Sequence, residues 1–79
     1  MDKIQKFLLK LNATNRTTLL YVLSDIKILN LEGYDIKQLK GFHSIFRLRK
    51  GKIRIIFRKD GNAGTLLDIS YRKDSYRQH

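Results

Sequence analysis

The stretch Ile45-Phe46-Arg47-Leu48-Arg49-Lys50-Gly51-Lys52-Ile53-Arg54-Ile55-Ile56-Phe57-Arg58-Lys59 decides how this chain folds. Apolar and basic residues alternate through it, and alternation is the pattern of a strand whose successive side chains point to opposite faces. Residues 43–50 and 52–59 read as two antiparallel strands, with Lys50-Gly51 as the tight turn between them. Counted outward from that turn, Arg49 faces Lys52, Arg47 faces Arg54 and Ile45 faces Ile56. On the opposite face Leu48 meets Ile53, Phe46 meets Ile55 and Ser44 meets Phe57. One face is dry and core-forming. The other carries Arg47, Arg49, Lys52, Arg54 and Arg58 around two isoleucines. Like charges directly across a strand pair oppose folding by roughly a few tenths to 1 kcal/mol per pair. A small sheet that carries them implies an anionic partner for that face.

Working outward, Asp60-Gly61-Asn62-Ala63-Gly64 is rich in turn formers, and Leu66 to Arg72 forms a last strand. Upstream the period changes. Ile4, Phe7, Leu8 and Leu11 fall on one helical stripe. Asn12-Ala13-Thr14-Asn15 supplies loop and N-cap chemistry. Leu19, Val22, Leu23, Ile26 and Leu29 continue as a second helix, which Glu32-Gly33 is expected to end. The aliphatic stripes are core positions. The expected fold is α+β: an N-terminal helical hairpin packed on a three-stranded antiparallel β-meander, a single domain over residues 1–79.

Composition narrows the function. The 79 residues hold 17 Lys and Arg against 7 Asp and Glu, a net charge of +10, with no Cys, Pro or Trp. Cysteine-based disulfides, redox centres, thiolate metal sites and nucleophiles are excluded. No apolar run approaches the ~18 residues of a membrane span, and Met1-Asp2-Lys3-Ile4 does not begin a signal peptide. A soluble cytoplasmic protein without membrane contact is the expectation. Nine Lys and Arg and no acid lie between Ile36 and Lys59, whereas the first 35 residues carry five basic and four acidic groups. Membrane surfaces call for cations beside large apolar residues on a helix. Here the cations fall on a sheet, which suits phosphates spaced along a nucleic acid. An acidic protein segment fits the same surface.

The single Glu and six scattered Asp make no carboxylate cluster for metal-dependent cleavage, and nothing places His43 or His79 in a Ser–His–Asp arrangement. No metal and no cofactor is expected. Metal-free cleavage of RNA remains: the 2′-hydroxyl attacks the adjacent phosphorus while cations neutralise the phosphate and another group accepts the proton. Arg binds two phosphate oxygens with its planar fork and keeps its charge. Tyr is a candidate proton carrier where nearby cations favour the phenolate. Arg72 and Tyr76, at and just past the end of the last strand, could reach the basic face.

Four segments carry a family resemblance: Leu39-Lys40-Gly41-Phe42, Ile45-Phe46-Arg47-Leu48-Arg49, Gly51-Lys52-Ile53-Arg54-Ile55-Ile56-Phe57, and Ile69-Ser70-Tyr71-Arg72-Lys73-Asp74-Ser75-Tyr76-Arg77. Together they resemble the RelE/ParE toxin superfamily, with its L-K/R-G segment, Y-R-L-R and G-x-Y-R-I-I-Y strands and closing I-x-H-R-x-x-x-Y. The resemblance implies a toxin of a type II toxin–antitoxin system. It further implies a ribosome-dependent, metal-independent endoribonuclease, an mRNA interferase that cuts mRNA in the A site and so inhibits translation. The implied partners are a cognate antitoxin that covers the basic face, the ribosome with its 16S rRNA, and mRNA; the toxin itself would be monomeric and form a hetero-oligomer with the antitoxin.

Carried over by position, Arg54 would stabilise the scissile phosphate, Arg72 would assist the leaving group and Tyr76 would be the general base. Lys40, Arg47, Arg49, Lys52, Arg58, Lys73 and Arg77 would contact nucleic acid. Arg47 and Arg49 stand where some ribosome-dependent members have catalytic lysines, so the charge is kept without a proton-transfer role. Tyr71 stands where many relatives have His. The family usually opens with a β-strand before the first helix, and this chain begins in that helix. Either that strand is lost or a longer form exists; the expected architecture for these residues is a compact RelE-like fold lacking the first strand, with a sheet edge left unpaired. Two alternatives stay open: a ParE-like inhibitor of DNA gyrase without nuclease activity, and an inactive remnant that only binds antitoxin or RNA.

Overall fold

The structure, a computed structural model, describes residues 2–72. Helix α1 spans Lys3–Leu9 and α2 spans Ala13–Lys27. Each starts on a side-chain cap: Asp2 accepts the Gln5 N–H and Asn12 accepts the Asn15 N–H, both at 2.8 Å. Between the helices Arg16 donates from Nε to Leu8 O at 3.0 Å and from Nη2 to Leu11 O at 2.8 Å. It thereby adds a side-chain donor to the Leu8 carbonyl, which also accepts the Leu11 N–H at 3.2 Å, and ties the α1–α2 connection to α2 through Leu11 O.

Helix α2 ends earlier than the Glu32-Gly33 pair predicts. Its cap is Ile28, and Leu29 takes the left-handed position with φ 56. Leu29 N–H donates to Ile26 O at 3.0 Å and Asn30 N–H to Asp25 O at 2.8 Å. These are the paired bonds of a Schellman ending, with leucine where glycine is usual. A left-handed residue with a Cβ costs roughly 1–2 kcal/mol, and here the side chain packs on the core in return. The connection is tied back by Tyr34, whose hydroxyl donates to Asp25 Oδ2 at 2.5 Å. That hydrogen bond, with burial and the Asp25 charge adding to it, raises the Tyr34 pKa.

The sheet has four strands in the order β1-β2-β3-β4: Asp35–Gln38, Ile45–Lys50, Ile53–Asp60 and Ala63–Tyr71. All neighbours are antiparallel. The α+β architecture of a helix pair on a meander is as expected, but the meander has one strand more than expected. Strand β1 holds four residues, of which only Ile36 is partly buried, too few to show an alternation. Among the described residues no strand precedes α1, so β1 and β4 are the sheet edges. In β4 a bulge leaves Leu67 without a partner, since Ile56 pairs with Asp68 and Phe57 with Leu66.

The core lies between the helices and one sheet face. Leu11, Leu19, Val22, Leu23 and Ile26 meet Leu48, Ile55, Phe57 and Ile69. Each such side chain contributes about 1.5–3 kcal/mol on burial. Both helices pack chiefly against β4. Gly64 permits this, because a Cβ there would strike Ile26 O. The opposite sheet face is turned away from α1 and α2.

Candidate nucleic-acid interface

The strand alternation places Leu48, Ile55 and Phe57 in the core and sends Arg47, Arg49, Arg54 and Arg58 to the other face. The register differs from the sequence expectation by two residues. Arg49 lies opposite Arg54, Arg47 opposite Ile56, Ile45 opposite Arg58, Leu48 opposite Ile55 and Phe46 opposite Phe57. The turn is Gly51-Lys52, not Lys50-Gly51, because Lys50 pairs with Ile53. The physical reason is φ. Gly51 takes φ 58, and a turn with its positive φ at the first central position puts glycine there. The expected turn would have put Lys50 in that position. A shift of two preserves the faces, so the cations still share one side. Between β2 and β3 only Arg49 and Arg54 now oppose one another directly, and across β1–β2 Lys37 lies opposite Arg47; the expected Arg47–Arg54 and Arg49–Lys52 pairs do not form.

An acid absent from the expected site sits among these cations. Asp35 of β1 pairs with Arg49 across the sheet. It accepts hydrogen bonds from Arg47 Nη1 at 3.3 Å and Arg49 Nε at 3.2 Å. Burial pushes the Asp35 carboxyl pKa up, but the hydrogen bonds and charges of Arg47 and Arg49 outweigh it and hold the pKa below its usual value. The Arg47 side chain is only 11% exposed, against 29% for Arg49, so Arg47 offers less of its fork to a ligand than its sequence position suggests. The signal for Asp35 was present, one residue before the acid-free block, but β1 is too short for its pairing to be read.

The remaining predicted cations divide between two ends of the sheet. At the Gly51-Lys52 end, Arg54 stands between Arg49 and Ser70. Arg72 follows β4 directly; its N–H donates to Lys52 O at 2.8 Å and its Nη1 reaches Gly51 O at 3.5 Å. The Nε atoms of Arg54 and Arg72 are both shut off from solvent, and guanidinium keeps its charge there. Lys52 is exposed in the turn. Arg54, Arg72, Arg49 and Lys52 thus gather around one end.

At the other end Arg58 is held by Asp60, its Nε donating to both carboxylate oxygens at 2.9 and 3.0 Å. Thr65 Oγ1 donates to the same carboxylate at 2.7 Å. The Thr65 hydrogen bond first, then that of Arg58, lowers the Asp60 pKa. Lys40 lies in the β1–β2 connection at this same end, remote from Arg54 and Arg72. A third acid on the charged face, Asp68, is paired with Lys3 of α1 at 2.5 Å. Tyr76, Lys73 and Arg77 lie outside the described residues.

Among the described residues no three His, Cys, Asp or Glu side chains come together in a way that could hold a metal ion. No helix among them is long and apolar enough to cross a membrane.

Compared with known proteins, the chain matches no family model and no curated protein. Among solved structures its fold is similar to that of a chain in the crystal structure of a RelB–RelE antitoxin–toxin complex from Methanococcus jannaschii. The TM-score is 0.71 at 23% sequence identity, and the likeness covers 96% of this chain and 93% of that one. At that identity the shared property is the fold: two helices on an antiparallel sheet.

Proposed function

We propose that this protein is the toxin of a type II toxin–antitoxin pair and acts as a ribosome-dependent, metal-independent endoribonuclease on mRNA. The observation that carries the reading is the gathering of Arg54, Arg72, Arg49 and Lys52 at the Gly51-Lys52 end of the sheet face turned away from α1 and α2. The fold shared with a chain of an antitoxin–toxin complex supports the same reading. Residues 1–79 would form one domain of this type, working in the cytoplasm as a monomer until an antitoxin covers its cationic face.

In the proposed reaction the RNA supplies its own nucleophile. The 2′-oxygen attacks the adjacent phosphorus and the bond from phosphorus to the 5′-oxygen breaks, leaving a 2′,3′-cyclic phosphate and a 5′-hydroxyl. Charge grows on the non-bridging phosphate oxygens in the transition state. Arg54 is the group to receive it, since a preorganised cation in a partly dry site acts more strongly than one in water. Arg72 stabilises the departing 5′-oxygen, which takes a proton from water to become the 5′-hydroxyl. Tyr76 takes the proton of the 2′-hydroxyl. Arg49 and Lys52 hold flanking phosphates. DNA lacks the nucleophile and is not a substrate.

The test is primer extension on translated mRNA after induction. Cuts within A-site codons are expected, and they should vanish in the Arg72→Ala, Tyr76→Phe double variant. Intact mRNA under growth arrest, or cutting that survives the double variant, overturns the proposal.

A further inference from the structure

A cavity of about 300 Å³ opens on the helix side of the same turn, at the small end of the range for ligand sites. Its floor is apolar, built from Leu11, Leu19 and Ile53. One wall is Tyr71, whose ring rests on Phe7 with centroids 4.9 Å apart and which remains 39% exposed. From α2, Asn15 and Thr18 bring an amide and a hydroxyl to the opening. Lys50 and Lys52 stand at the rim. Lys50 is there because it pairs with Ile53 and so falls on the core side of β2, away from Arg47 and Arg49. None of Asn15, Thr18, Lys50 or Tyr71 belongs to the cleavage site proposed above.

We propose that this cavity receives one base of the bound single-stranded RNA, with the neighbouring phosphate on Lys50 and Lys52. The inference rests on the RNA-cleaving reading and adds a base-binding site to it. Two observations select this occupant. The first is continuity: Gly51 and Lys52 line the cavity, and the same two residues carry the carbonyls that Arg72 contacts. A strand crossing Arg54 and Arg72 therefore needs only to pass the turn to present a base to the other side. The second is chemistry. A base is a flat apolar ring with a polar rim, matching an aliphatic floor, an aromatic wall and an amide–hydroxyl pair, while two lysines supply the charge its phosphate requires. RNA-binding proteins gain sequence preference in this way, by stacking an unpaired base and hydrogen-bonding its edge.

The experiment uses the intact chain. Backbone amide signals are followed by NMR with adenosine 5′-monophosphate and, separately, ribose 5-phosphate. Affinity for hexaadenylate RNA is measured for the wild type and for Thr18→Phe, which fills the cavity from an exposed helix position. The nucleotide should shift the Thr18 and Leu19 amides and ribose 5-phosphate should not. Thr18→Phe should keep the wild-type melting temperature and weaken hexaadenylate by about tenfold. Equal effects of the two small probes, or unchanged hexaadenylate affinity in Thr18→Phe, overturn the inference and leave the cleavage reading standing. The same holds if an acidic, aromatic-containing peptide moves those amides where the nucleotide does not. Failure of the wild type to bind hexaadenylate at all takes down both.

Discussion

The two ends of the cationic face use the same residue types differently. At the far end Arg58, Asp60 and Thr65 form a closed local network, in which one carboxylate satisfies one guanidinium and one hydroxyl. At the Gly51-Lys52 end Arg49, Lys52, Arg54 and Arg72 cluster together. Asp35 serves both Arg47 and Arg49, and Arg54 and Arg72 stand beside them with buried Nε atoms. A lone cation closed into a local network adds little to the potential of the face; cations clustered together build the positive potential that an anionic ligand can use. A count of nine basic residues between Ile36 and Lys59 does not make that distinction. The register does.

The largest expected effect lies at the crowded end. Arg54→Ala should slow RNA cleavage by about 100-fold or more, the scale on which removal of one transition-state donor is felt, as read from single-turnover cleavage on programmed ribosomes. The next concerns the support beneath the far end. Gly64→Ala should destabilise the protein by about 1–3 kcal/mol, because the new methyl must displace Ile26 O; urea denaturation measures it. Smaller again is Asp35→Asn. With the carboxylate charge gone, Arg47 and Arg49 are released, and affinity for single-stranded RNA should rise several-fold. Arg58→Ala should change that affinity little, and a drop equal to that of Arg49→Ala would erase the contrast between the ends. The salt dependence sharpens it: Arg49→Ala should lower the slope of log affinity against log salt by about 0.7, the single-strand value per phosphate contact, and Arg58→Ala should leave it unchanged.

Acidification probes both ends at once. The folded-state pKa values of Asp35 and Asp60 are depressed. Their contribution is therefore fully present above the unfolded carboxylate value of about 3.9 and is lost as pH falls through the lower folded values. The melting temperature should fall below about pH 4, and less steeply in the Asp35→Asn, Asp60→Asn double variant than in the wild type.

Much of this was legible in the sequence because periodicity survives small errors. The alternation of Phe46, Leu48, Ile55 and Phe57 with Arg47, Arg49, Arg54 and Arg58 sets the faces whichever turn is chosen, since a two-residue slip returns every side chain to its own side. Which cations meet is set by the turn, and there the φ of Gly51 decided between two readings that the alternation leaves equal. The end of α2 departs from its sequence signal for a related reason. Gly33 advertises a helix ending, yet the left-handed position is taken by Leu29, whose packing on the core outweighs its backbone preference. Strand β1, and with it Asp35, was hidden by its length, because four residues with one partly buried side chain carry no period. Lys50 looked like a turn residue and proves to be a strand residue on the helix side.

The most direct test of the central claim, that the Gly51-Lys52 end holds the scissile phosphate and the Arg58 end does not, is the cleavage rate of A-site mRNA on programmed ribosomes for Arg54→Ala and Arg58→Ala side by side. The account predicts a near-wild-type rate for Arg58→Ala and a loss of about two orders of magnitude for Arg54→Ala. Equal rates in the two variants, or no cleavage by the wild-type chain, would contradict it.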